Sequence, residues 1–76
     1  MSFVEKMQAA THVIQDYNLQ SIIDVRVGFD GTKIHLNDAN EMNKFDNYDV
    51  IVRQSVEYRH ELQATVNGVD VFVLTK

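Results

Sequence analysis

The chain has no cysteine, so neither a disulfide nor a thiolate metal site can brace it. It has no proline and only three glycines, and nothing in it reads as a flexible linker. No stretch approaches the ~20 apolar residues of a membrane-spanning helix. The first residues, "MSFVEKMQAATHVIQ", place Glu5 and Lys6 where a signal peptide would need an apolar run. Together with the missing cysteine, this sets the expectation of a reducing, cytoplasmic environment and no membrane contact.

What is present is 76 residues, 45% of them hydrophobic, enough for one small domain spanning 1–76. A chain of this size buries only ~60–65% of the surface it exposes when unfolded. Self-association is the remaining way to bury more. Eleven acidic residues face seven Lys and Arg, for a net charge of −4. Phosphate binding rests on Lys and Arg, so this balance argues against nucleic acid as a partner.

Residues 2–18 read as an amphipathic helix. Phe3, Val4, Met7, Ala10, Ile14 and Tyr17 recur at three- and four-residue steps on one stripe. Ser2 and Glu5 have the spacing of a capping box, and Asn18 suits a left-handed residue at the helix end. Next, "SIIDVRVGF" alternates, with Ile23, Val25, Val27 and Phe29 sharing a face. Asp30-Gly31 is a favoured two-residue hairpin loop. It predicts Phe29 opposite Thr32, Val27 opposite Ile34, and Val25 opposite Leu36. Residues 38–45 read as a short helix or helical turn, capped by Asp38, with Glu41 at the capping-box position and Met42 and Phe45 one turn apart. Tyr48, Val50 and Val52 alternate in a strand, while "SVEYRH" has no period and reads as an irregular connection. Asn67-Gly68 marks a second hairpin, pairing Val66 with Val69, Ala64 with Val71, and Leu62 with Val73. The sum is an α+β domain: an N-terminal helix on one face of a four- to five-stranded antiparallel sheet.

The far face of that sheet should carry Arg26, Lys33, His35, Ile51, Arg53, Gln63, Asp70, Phe72 and Leu74. A face left in water should be polar. The last strand departs from this rule, because Phe72 and Leu74 are apolar while Val69, Val71 and Val73 already fill the inner side. Either a loop, the short helix around Met42 and Phe45, or the chain end folds over them, or they form an apolar patch for another chain. Arg26, Lys33, His35 and Arg53 beside Phe72 loosely resemble a base-stacking sheet. Such sheets offer more aromatics and a surplus of cations.

Catalytic signals are missing. Ser2, Ser21 and Ser55 lie in no nucleophile motif, and no phosphate loop or metal-protease motif occurs. His12 and Asp16 are one helical turn apart, but two ligands do not make a metal site. Placed across from Asp24 and Arg26, His35 suits a polar cross-strand contact. The expectation is a non-enzymatic protein without catalytic, cofactor or metal site.

The order of helix, "VGFDGTKIHL" hairpin, "YDVIVRQS" strand and "ELQATVNGVDVFVLTK" hairpin resembles short proteins carried by phages and prophages of lactic-acid bacteria and their relatives. Tyr48 to Arg53, Asn67-Gly68-Val69 and Phe72 carry the resemblance. It implies a phage-derived accessory protein in a bacterial cytoplasm and transfers no activity. The expected role is a protein-interaction module that binds a partner or itself. Phe72, Leu74 and Ile51 supply apolar area, and Arg26, Arg53 and His35 a polar rim. A nucleic-acid-binding regulator is the alternative.

Overall fold

Ser2 begins the first element by accepting a hydrogen bond from the Glu5 backbone N–H, while Glu5 accepts one from the Ser2 N–H. Both halves of the expected capping box are therefore made, and helix α1 runs Phe3–Asp16. Asn18 follows at φ 50°, the left-handed geometry that ends the helix. The computed structural model describes residues 2–54 and 57–75. Ser55 and Val56, part of the expected irregular connection, lie outside the described residues.

Five strands follow: β1 Ile22–Gly28, β2 Gly31–Leu36, β3 Asp49–Val52, β4 His60–Val66 and β5 Val69–Thr75. A short 3-10 helix, Ala39–Lys44, lies between β2 and β3. The α+β class with a helix on the sheet is as expected, but the sheet is mixed rather than purely antiparallel. Its order is β1-β2-β5-β4-β3, and β2 and β5 run parallel. Each hairpin is antiparallel, as its turn dictates. The chain crosses from β2 through the 3-10 helix to the far edge, and β5 returns to the centre.

The second hairpin has the expected register: Val66 pairs with Val69, Ala64 with Val71, and Leu62 with Val73. Asn67 and Gly68 take φ 52° and 78°, as a type I′ turn requires. The first hairpin differs. Its turn is Phe29-Asp30, and Val27 pairs with Thr32 and Val25 with Ile34, two residues from the expected register. Such a slip keeps the same residues on the same face, so apolar alternation cannot distinguish the two. A bulge between Ile22 and Asp24 restores the inward direction at Ile22, which pairs with Leu36. Ile23 is left exposed, and Phe29 projects fully into solvent at 103% exposure. The Lys6 ammonium donates to the carbonyls of Gly28 and Phe29, tying this turn to the helix.

The core lies between the sheet and the two helices. Ile34 and Leu36 of β2, Val69, Val71 and Val73 of β5, and Met42 are all but inaccessible. Each such side chain contributes ~1.5–3 kcal/mol by leaving water. From α1 only Ala10 and Val13 are buried, with Ala9, Ile14 and Tyr17 packed against them. The expected stripe thus holds at its C-terminal half alone. Phe3, Val4 and Met7 are exposed, because the first turns lie beside the β1–β2 turn rather than over the sheet centre.

Candidate functional site

The sheet face opposite α1 carries the residues singled out from the sequence. β1 supplies Asp24 and Arg26, β2 supplies Lys33 and His35, and β5 supplies Asp70, Phe72 and Leu74. Phe72 lies between His35 on the parallel side and Gln63 on the antiparallel side. The His35 and Phe72 rings stack, with centroids 4.5 Å apart and planes 13° from parallel. That separation matches the ~4.8 Å spacing of neighbouring strands. The rings therefore stand side by side on the sheet and turn their edges outward. His35 does pair with Asp24 in the β1–β2 ladder, but the ring's partner is Phe72.

Asp24, Arg26, Lys33, His35 and Phe72 line a depression of about 60 Å³. Small-molecule pockets hold roughly 300–1,000 Å³, so the feature is surface relief rather than a metabolite site. Arg26 lies 3.5 Å from Asp24, both largely exposed. Such a pair contributes ~0–1 kcal/mol.

Leu74 shares a second hollow of about 110 Å³ with Ile23, His35, Leu36, Asn37 and Tyr58. Both Phe72 and Leu74 are half-buried. As the middle strand, β5 has a neighbour on each side, and these neighbours cover part of both residues. The two-faced apolar pattern thus reflects a central position as much as an open patch. Ile51 and Arg53 are set apart. Ile51 pairs with Glu61, across β4 from Leu74, and Arg53 donates to the Glu61 carboxylate at 2.8 Å.

A second polar constellation is structural. Glu41 is buried, and its carboxylate accepts the backbone N–H groups of Gln20 and Ser21, the Ser21 hydroxyl and the Lys44 ammonium. Burial pushes this carboxyl up, but Lys44, the Ser21 hydroxyl and the two backbone donors outweigh it and hold the pKa at about 2. Glu41 therefore does not complete the expected capping box. It clips the α1–β1 connection to the 3-10 helix. The Asp38 cap is real, its side chain accepting from the Asn40 N–H. The open groove beside Glu41 has about 410 Å³, but the carboxylate's bonds are made within the chain.

His12 and Asp16 are exposed, with no ion pair between them. His60 begins β4, opposite Val52 and Thr75. Among the described residues, no three His, Asp or Glu side chains are grouped to hold a metal ion. No helix among them is long and apolar enough to cross a membrane.

Two exposed apolar regions lie outside the expected face, apart from Ile51, which the sequence already marked. Phe3, Val4 and Met7 lie on the first turns of α1, whose Lys6 bonds to the turn carrying Phe29. Tyr48, Val50, Ile51 and Val52 lie at the β3 edge. Only the strand order shows that β3 is an edge strand. Comparison with protein-family models, curated proteins and solved structures returned no significant match.

Proposed function

We propose that the protein is a non-enzymatic protein-interaction module whose binding face is the outer side of the sheet, centred on β5. The observation that carries this reading is the His35–Phe72 stack, half-exposed in mid-sheet and flanked by the exposed Arg26 and Lys33. Aromatic area with an Arg beside it is the composition that dominates protein–protein contacts. Leu74 extends the apolar centre, and Ile51 and Arg53 stand at its far rim. The relief is too shallow for a metabolite, which favours a macromolecular partner. The setting of this reading is that of a phage-derived accessory protein in a bacterial cytoplasm.

The test is capture from a lysate of a lactic-acid bacterium, with wild-type, Phe72→Asp and Arg26→Glu proteins as bait. A partner retained by the wild type and lost from both folded variants supports the reading. Equal capture by all three, or none by any, overturns it.

Nucleic-acid binding is the competing reading, favoured by the cations around one aromatic pair. Base-stacking sheets present ring faces to the base. Here the upright rings spend one face each on the other. Titration with single-stranded and duplex oligonucleotides at two salt concentrations separates the readings, since phosphate-driven binding weakens steeply with salt.

A further inference from the structure

We propose that the β3 edge pairs with β3 of a second copy, antiparallel about a two-fold axis through Ile51, joining two sheets into one. This interface shares Ile51 and Arg53 with the rim of the outer face, but it is formed by the backbone of the β3 edge and does not depend on the reading of Phe72 and His35.

The two sheet edges are built differently. β1 carries a bulge and the charged residues Asp24 and Arg26, features that discourage strand addition. β3 pairs with β4 without a bulge, and its centre is Val50-Ile51-Val52. Val50 is 58% and Val52 76% exposed, although both face the helix-bearing side of the sheet, where Val50 pairs with Leu62. The helix α1 packs on β1, β2 and β5, and the 3-10 helix on β5 and β4.

The backbone selects which groups are free. The Arg53 N–H donates to the Arg59 carbonyl, continuing the ladder in which Ile51 pairs with Glu61. Inward bonding alternates along an antiparallel strand, so Arg53, Ile51 and Asp49 turn their backbone groups to β4. Val50 and Val52 turn theirs outward. A two-fold axis at Ile51 sets Val50 against Val52 of the second copy, and Val52 against its Val50. Each pair can exchange both N–H···O bonds.

Charge then selects this register. Asp49 and Arg53 lie two residues either side of Ile51, so the same axis sets Asp49 opposite the second copy's Arg53, twice over. A register shifted by one residue pair sets Asp49 or Arg53 against Ile51 instead. Arg53 already holds Glu61 through one guanidinium nitrogen and has further N–H donors for Asp49. The valines of both copies meet on one side of the joined sheet, and the two Ile51 side chains meet on the other. A second copy is therefore the occupant whose charges match this edge.

Sedimentation equilibrium over a concentration series tests the proposal, with circular dichroism confirming each variant's fold. The wild type is expected to reach dimer mass. Val52→Pro removes an outward N–H that takes no part in the β3–β4 ladder, and is expected to stay monomeric. Asp49→Arg and Arg53→Asp each oppose like charges and are expected to weaken the dimer about tenfold or more. An equimolar mixture of those two variants restores both opposite-charge pairs and is expected to recover dimer mass. The cysteine-free chain adds a register test: Ile51→Cys should oxidise to a disulfide dimer faster than Val52→Cys, because a non-hydrogen-bonded pair has Cα atoms ~4.5 Å apart. A monomeric wild type, a dimer indifferent to Val52→Pro, or a charge-swap mixture that stays monomeric overturns the proposal. Phe72→Asp is expected to leave the dimer intact, which separates this outcome from that of the outer face.

Discussion

Glu41 accepts hydrogen bonds from both the backbone N–H and the hydroxyl of Ser21, twenty residues earlier in the chain. This contact joins the start of β1 to the 3-10 helix that carries Met42 into the core. Glu41→Gln removes the charge but keeps the shape. It leaves the Lys44 ammonium and one backbone donor poorly matched. The expected loss is about 3 kcal/mol at neutral pH, read from urea unfolding.

The same carboxyl gives the protein an acid limit. Its folded pKa is about 2, below the ordinary 4.5. Between those values the unfolded chain binds the proton more readily, so stability falls as pH falls. The contribution, on the order of 3 kcal/mol, is complete above about pH 4.5 and gone below about pH 2. The wild type and Glu41→Gln should therefore converge in stability as pH is lowered through this window. An unchanged gap at pH 2 would contradict the assignment.

Lys6 holds the carbonyls of Gly28 and Phe29. Lys6→Met keeps much of the stem and removes the donor. The expected cost is about 1 kcal/mol, with faster amide exchange confined to the β1–β2 turn and the first turn of α1.

The stacked His35 and Phe72 rings should be energetically coupled. A double-mutant cycle of His35→Ala and Phe72→Ala should return an interaction of about 0.5–1.5 kcal/mol. Additive losses would show that the two rings are neighbours without mutual stabilisation.

Gly68 occupies φ 78° in the second turn, with open space where a Cβ would stand. Gly68→Ala should cost about 1 kcal/mol through backbone strain alone, without loss of the β4–β5 register. A thermal-melt shift with unchanged cross-strand contacts in solution spectra would bear this out.

Local chemistry made much of the molecule legible in its sequence. The Ser2–Glu5 cap, the left-handed Asn18, the Asn67-Gly68 turn and the inward Val69, Val71 and Val73 each follow from residues near in the chain. The helix stripe was legible in position but not in extent, since periodicity says which side of a helix is apolar, not how far the sheet reaches beneath it. Phe72 and His35 were legible as members of one face, but not as a stack.

Strand order belongs to tertiary structure. No turn connects β2 to β5, so their parallel pairing rests on burying Ile34, Leu36, Val71 and Val73 under the same helices. The first hairpin's register was also decided there, because alternation has a period of two and is blind to a two-residue slip. Glu41 satisfies backbone N–H groups some twenty residues away rather than those of its own helix, a choice only the folded chain can offer. Strand order also leaves Val50, Ile51 and Val52 at an edge while β5 is flanked on both sides. The sequence alone determined which residues avoid water; the order of the strands decided which of them succeed.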